Sequence, residues 1–357
     1  MKLEEVDTPA LLLRADCLEQ NIGRMASFFA TRPTALRPHF KTPKCAEVAR
    51  LQLEAGASGL TWAKLGEAEA LVEAGIRCSI LIANQVVGPL KLARLSKLAA
   101  KLPELIVAVD DVQQIEALEL AVAGMSAQLG ALIELNIGMH RCGCDEPEQT
   151  VALAQRLERG RVRYRGIMGY EGHAVLIADP ERRTALTEQA LAVLDRHRQA
   201  LEGAGLPPAI VSAGGTGTYD QTGDHPGISE IQAGSYVFMD AAYRRVRGEF
   251  GCALTLLTTV LRRRGRLLIT DAGMKALSQE FGMPEGSDLP LRCVALSEEH
   301  GHVLIDEDVE LELAAGDRIE LLPTHGDTTL NLHDEYTVLR GGQVVARWPI
   351  IARGRTR

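Results

Sequence analysis

Short runs rich in Val, Ile and Leu recur near 58–62, 78–83, 104–109, 129–136, 163–170, 209–213 and 229–237, and helix-spaced segments separate most of them. That alternation limits the fold more than any other feature of the chain. The run Thr34-Ala35-Leu36 precedes them and brings the strand count to eight. Between strands, Leu65 to Ala74 places Leu65, Ala68, Leu71 and Val72 on an inward face and Glu67, Glu69 and Glu73 outward, and Asp111 to Ala123 is also helical. Strands alternating with helices are the pattern of parallel βαβ units. A (β/α)8 barrel needs about 200–250 residues, and residues 18–245 supply them. A doubly wound α/β sheet competes, but the strand count and the lack of an early G-x-G-x-x-G after a first strand lean against it.

After residue 246 the helical period disappears. Segments 253–260, 266–270 and 318–322 are separated by glycine-containing turns, which predicts a β-rich second domain. Residues 8–13 also read as a strand, and periodicity alone leaves open which domain takes them. The 357 residues are enough for two domains with a large core. A formal charge of −8 argues against a nucleic-acid footprint, and Arg262-Arg263-Arg264 reads as a solvated turn. No apolar run is long enough to span a bilayer and the acidic N-terminus is unlike a signal peptide. Seven scattered cysteines suit a reducing cytoplasm, where the chain is expected to reside. Cys142 and Cys144 lack a second pair at zinc-ribbon spacing and are read as packing residues.

Lys41 lies where the first barrel strand gives way to a helix predicted over 45–53. That is the end of a β/α unit where barrels carry their chemistry. An amine kept from bulk water loses proton affinity and becomes a nucleophile able to form a Schiff base. Taken alone, Lys41 and Lys44 would be solvated loop residues. The stretch 211–219, Val-Ser-Ala-Gly-Gly-Thr-Gly-Thr-Tyr, follows a strand, and its glycines let backbone N–H groups and the Thr216 hydroxyl approach an anion. The next strand ends in Gln232-Ala233-Gly234-Ser235-Tyr236, a second small-residue turn. These are strands seven and eight, whose loops often bind phosphate in barrels. A lysine with a phosphate cradle suggests pyridoxal phosphate. In the β-rich part, His325 and Asp327 stand two apart and can turn toward one divalent cation such as Mn²⁺, Zn²⁺ or Mg²⁺. Without other support, a turn with a capping Asp and a surface His is the preferred account of that pair.

The segments RPHFKTPK (37–44), NIGMHRCG (136–143), GIMGYEGH (166–173), VSAGGTGTYD (211–220), IQAGSYVFMD (231–240), SEEHG (297–301) and PTHGDTTLNLHDEY (323–336) run in order through nearly the whole chain. Together they resemble the D-threonine aldolase, D-3-hydroxyaspartate aldolase and D-serine dehydratase family of fold-type III pyridoxal phosphate enzymes with an alanine-racemase-like barrel. The resemblance implies that the N-terminal strand joins the β domain, giving a barrel over 18–245 and a β domain from 1–17 with 246–357 that carries the metal. It further implies a head-to-tail homodimer with shared active sites. Lys41 becomes the Schiff-base lysine, Arg141 a partner of the cofactor's phenolic oxygen, and Tyr170 a residue packed on the pyridine ring. Gly215, Thr216, Gly234 and Ser235 hold the phosphate, and His325 and Asp327 match the metal pair. Gln232 stands where related racemases place an arginine, so the ring is expected to be a weaker electron sink.

Within the family, His-x-Asp resembles the aldolases and His-x-Cys the dehydratases. A hard cation such as Mn²⁺ or Mg²⁺ suits a bound alkoxide, with Zn²⁺ as the softer option. Aldolases of the D-threonine type carry a histidine six residues after the tyrosine, but Leu176 stands there in this sequence. His173 is the substitute, and Tyr-Glu-Gly-His resembles the D-3-hydroxyaspartate branch; a histidine titrates in the range a general base needs. The expected reaction is retro-aldol cleavage of a 3-hydroxy-D-amino acid to glycine and an aldehyde, making the chain a lyase. The alternative is dehydration of D-serine or 3-hydroxyaspartate to a 2-oxo acid and ammonia. A racemase needs no metal pair, and single-domain pyridoxal phosphate carriers lack the β domain. A substrate carboxylate would want a cation, for which Arg244, Arg245 and Lys64 are candidates.

Overall fold

The computed structural model describes residues 2–124 and 129–357. The chain divides into two compact units, one of Met25–Lys41, Val48–Gly234 and Arg355–Arg357, the other of Met1–Arg24, Thr42–Glu47 and Ser235–Gly354. The first strand, β1 (Ala10–Arg14), belongs to the second unit, while the next eight build the first. These are β2 (Ala35–Leu36), β3 (Leu60–Trp62), β4 (Ser79–Gln85), β5 (Glu104–Val109), β6 (Leu129–Leu135), β7 (Arg163–Gly169), β8 (Ile210–Ala213) and β9 (Glu230–Ile231). Every pairing among them is parallel, in the order β2-β9-β8-β7-β6-β5-β4-β3. A single bridge from His39 to Thr61 joins the two ends, with the Phe40 N–H donating to the Thr61 carbonyl at 2.6 Å. The barrel expected from the alternation is therefore present.

Parallel strands covered by helices are buried on both faces, and all seven residues of β6 are buried. Inside the ring, Leu81, Ile106, Ala108, Leu132, Met168 and Ile210 form one buried cluster. At the strands' N-terminal ends, Arg37 Nε donates to Glu230 at 2.8 Å and its Nη1 to Ser79 Oγ at 2.9 Å. Ser79, Glu104 and Glu230 each open a strand, and Arg165 pairs with Glu104. This end of the barrel is committed to holding itself together, which leaves the opposite end for function.

Two details depart from the periodicity. The last apolar run is a strand only over Glu230–Ile231, and Ser235–Val237 is a 3₁₀ turn. Glu67, assigned outward in the helix Leu65–Glu73, is buried. Its carboxylate accepts the Lys64 N–H at 3.1 Å, and the terminal residues Arg355 and Arg357 lie over the helix's first turn at Gly66. A chain end folding back onto a helix leaves no trace in that helix's own spacing.

The second unit continues with β10 (Leu254–Arg264), β11 (Leu267–Thr270), β12 (Glu285–Gly286), β13 (Leu291–Leu296), β14 (Gly301–Ile305), β15 (Arg318–Leu322), β16 (Glu335–Arg340) and β17 (Gln343–Pro349). The circuit β11-β14-β13-β12-β15-β10 closes on itself through β10 and β11. β1 pairs antiparallel with β10 and parallel with β16, so the N-terminal strand is a member of the β domain. Val6, Leu12, Leu257 and Leu339 cluster behind it. Arg262, Arg263 and Arg264 are exposed but end strand β10 rather than forming a turn. All seven cysteines are free. Cys144 is buried as expected, with burial pushing its thiol up to about 11, but Cys142 is exposed. No helix among the described residues is long and apolar enough to cross a membrane.

Candidate active site

Because all eight barrel strands run parallel, the loops that follow them emerge at one end. Lys41 comes two residues after the closing bridge residue His39, half-buried, and its N–H donates to His39 Nδ1 at 3.3 Å. Phe40 beside it is fully buried edge-on against Trp62, centroids 4.7 Å apart. The position of Lys41 is thus fixed by a packed aromatic pair and the barrel's closing bridge.

After β6 the chain forms the loop carrying Arg141. The Arg141 guanidinium is exposed and its Nη2 is 3.6 Å from Glu134 on β6. Glu134 is buried, which pushes its carboxyl above the usual carboxylate value. A bond from Gln85 Nε2 at 2.6 Å and the Arg141 charge oppose that shift, and the charge of Asp110 adds to it. After β7, the ring of Tyr170 packs on the glycine turn: a Cβ on Gly215 would lie 3.2 Å from Tyr170 Cε2 and 3.1 Å from Val175 Cγ1. The ring of His173 lies against Gly138, where a Cβ would be 2.5 Å from His173 Cε1. His173 Nδ1 is buried with no hydrogen-bond partner among the described residues.

The turn after β8 is built from behind. Glu171 is fully buried and accepts the Gly214 N–H at 3.1 Å, the Thr218 hydroxyl at 2.8 Å and the Thr222 hydroxyl at 2.6 Å. Thr218 Oγ in turn accepts the Gly215 N–H at 3.2 Å. Gly214 takes φ +79°, a conformation that favours glycine, and a Cβ on Gly217 would strike the Val175 carbonyl. Thr216 is buried. Gln232 follows β9 and donates from Nε2 to Ser212 Oγ at 2.8 Å. At Gly234, a Cβ would come 2.5 Å from the His39 carbonyl oxygen. Ser235, which opens the 3₁₀ turn, is buried.

In the second unit, His325 caps the five-residue helix Gly326–Leu330 that carries Asp327 in its first turn. Asp240, almost wholly buried, reaches His325 Nδ1 at 3.3 Å, accepts the Gly326 N–H at 3.0 Å and caps the turn at Tyr243 with a bond of 2.8 Å. Burial works against a charged His325, but the bond to Asp240 and the charges of Asp327, Asp240 and Glu280 outweigh it and hold the imidazole above its usual value. The Asp240 bond to Nδ1 leaves Nε2 as the nitrogen for a cation. Thr328 Oγ1 next to Asp327 is buried with no partner among the described residues. No group of three or more His, Cys, Asp or Glu is arranged around one point among the described residues. A cation at His325 and Asp327 would therefore complete its shell with water or substrate.

Of the candidates for a substrate carboxylate, Arg244 and Arg245 are both engaged by Glu285, and Lys64 is exposed. Two residues escaped assignment from sequence: Glu171 and Asp240. Each lies inside a segment with family resemblance, which was the available signal.

A parallel barrel with a lysine at the end of its first strand and glycine turns after its last two, joined to an antiparallel β domain that includes the N-terminal strand, defines the alanine-racemase-like class. The family model described as alanine racemase, N-terminal domain, matches residues 13–242, and one described as a serine dehydratase domain matches 253–339. The chain belongs to the alanine racemase-like, fold-type III family. It is similar to the 3-hydroxy-D-aspartate aldolase of Paracoccus denitrificans strain Pd 1222, with 36% identity over 99% of this chain and 94% of that one. Its structure is similar to that of the D-threonine aldolase from Filomicrobium marinum, with a TM-score of 0.94 and 36% identity over 99% and 98% of the two chains. The D-threo-3-hydroxyaspartate dehydratase from Delftia sp. HT23 is similar at 29% identity, TM-score 0.88, over 98% of both chains; a mutant of a dehydratase of that name is described in a metal-free form.

Proposed function

We propose that this protein is a pyridoxal phosphate- and divalent metal-dependent lyase that cleaves 3-hydroxy-D-amino acids to glycine and an aldehyde. The observation that carries the reading is the convergence at the barrel's C-terminal end: Tyr170 on Gly215, His173 on Gly138, and Lys41 fixed beside the closing bridge. Whole-chain similarity to aldolases at 36%, against 29% for the dehydratase, supports cleavage over dehydration. The Asp at 327 points the same way. We assign cofactor binding to residues 18–245 and the metal pair to the β domain of 1–17 with 246–357.

The residues present fit the cofactor. Gly215 and Gly234 sit in closely packed turns where a Cβ would press on Val175 and Tyr170 or on the His39 carbonyl, and Lys41 supplies the amine. When bound, pyridoxal phosphate supplies a sink for the electron pair released as the Cα–Cβ bond breaks. Lys41 would supply the amine that anchors the cofactor, Arg141 a donor for its phenolic oxygen and Tyr170 an aromatic face for its ring, while Gly215, Thr216, Gly234 and Ser235 would hold its phosphate. Gln232 commits its donor to Ser212, so it offers the ring nitrogen no cationic partner. His173 would take the proton from the substrate's β-hydroxyl through Nδ1, which has no hydrogen-bond partner among the described residues. His325 Nε2 and the Asp327 carboxylate would hold a divalent cation, Mn²⁺ or Mg²⁺ before Zn²⁺, and the chemistry such an ion supplies is to bind a hydroxyl and lower its pKa.

Product analysis tests the reading. D-threonine and D-3-hydroxyaspartate are supplied with pyridoxal phosphate, with and without Mn²⁺. Glycine plus aldehyde, lost on chelation, is expected; ammonia plus a 2-oxo acid would move the chain to the dehydratase branch. Sizing in solution tests the homodimer, since a strict monomer excludes sites shared between copies.

A further inference from the structure

We infer that Glu171 is a positioning residue that shapes the 214–218 turn for a phosphate monoester, an inference resting on the cofactor reading above. A fully buried carboxylate behind an anion site is unfavourable on charge alone, so its presence needs a reason. The hydrogen bonds supply one. Glu171 Oε2 draws the Gly214 N–H backward, and Oε1 takes the hydrogens of Thr218 and Thr222. A hydroxyl has one hydrogen. Once Thr218 gives its own to Glu171, only its lone pairs face Gly215, whose N–H it accepts. One carboxylate thereby fixes two successive backbone units directly or through one hydroxyl. The turn is then pressed against Val175, tightly at Gly215 and with no room for a Cβ at Gly217. The rest of the turn, Thr216 and Gly217, is left in a single conformation to meet the phosphate, so the ordering entropy is spent in folding rather than in binding.

An amide cannot replace this group. In Glu171→Gln, if the amide oxygen serves the two threonines, the NH₂ meets the Gly214 N–H. If it serves Gly214, the NH₂ takes a lone pair of Thr218 and of Thr222, and both hydroxyl hydrogens lose the acceptor they had in Glu171. One orientation sets donor against donor, and the other leaves two hydroxyl hydrogens without that acceptor.

The test compares equilibrium binding of pyridoxal phosphate and of pyridoxal by the apoprotein, read by absorbance, with a melting curve for each variant. The parent is expected to bind the phosphorylated compound far more tightly. Glu171→Gln and Thr218→Val should each weaken pyridoxal phosphate by about tenfold or more while leaving pyridoxal unchanged; Thr218→Ser should restore parent behaviour. The double variant should lose little beyond either single one. Equal weakening of both compounds, or an unaltered preference for the phosphate, overturns the inference. If Glu171→Gln does not fold, Thr218→Val decides. A parent with no preference for the phosphate overturns the cofactor reading instead.

Discussion

In the function proposed above, the barrel mouth and the His325 region would use the same device for opposite charges. In the barrel, buried Glu171 pulls on backbone N–H and threonine hydroxyl groups to shape a turn suited to an anion. In the β domain, buried Asp240 pulls on the Gly326 N–H and on His325 Nδ1, which leaves the opposite ring nitrogen for the cation we propose. Both carboxylates are removed from water and hydrogen-bonded, and neither is expected to touch substrate. The difference lies in what stands between the carboxylate and the ligand. Backbone and hydroxyls would turn donors toward an anion, while an imidazole would turn a lone pair toward a metal. A buried acid is therefore no guide to the sign of the ligand it serves until its hydrogen bonds are followed outward.

The sharpest way to break this picture is at Lys41. Lys41→Ala should leave at most about a thousandth of the parent rate, and borohydride reduction of the parent followed by peptide mass spectrometry should find the pyridoxyl label on Lys41. Retained turnover would place the anchoring amine elsewhere. His173→Ala separates proton transfer from cofactor binding. It should cut kcat by about 10²–10⁴ with pyridoxal phosphate affinity unchanged, and an unaltered pH–rate profile would remove the histidine from the mechanism.

On the cation side, Asp240→Asn should weaken Mn²⁺ activation by about 10–100-fold and leave cofactor affinity alone. Titration of the chelated protein with Mn²⁺ measures it; equal loss of both affinities would mean that Asp240 supports the fold generally. The smallest effect is expected at Glu134, whose burial raises its carboxyl above the usual value. A raised folded-state value means its contribution to stability is complete below the ordinary carboxylate range and is lost as pH rises through the raised value. Glu134→Gln should therefore melt higher than the parent at pH 7, by about 2 °C, an advantage that fades below a pH of about 4. A lower melting point at pH 7 would show that the ion pair with Arg141 outweighs the cost of burial.

The barrel strands were legible because a buried parallel strand is a local apolar run, and Lys41 stood out because its strand end was visible beside it. Glu171 and Asp240 were within view in GIMGYEGH and IQAGSYVFMD, yet apart from the local cap of Asp240 on Tyr243 the partners described above lie 43 to 86 residues away. No spacing rule links residues so distant. Glu67 was placed on the wrong face for a related reason, since helical period describes one helix and cannot register the chain terminus that covers it.

By itself the sequence determined the eight-strand alternation, the switch to β structure after residue 246, and the residue types able to hold a phosphate ester and a divalent ion. These follow from periodicity and side-chain chemistry, both local properties. Only the tertiary structure decided that β1 pairs with β10 and β16, that His173 rests on Gly138, and that Glu171 braces the glycine turn while Asp240 holds His325. Those are outcomes of long-range packing, in which a polar group taken out of water must find whichever partner the fold has brought to it.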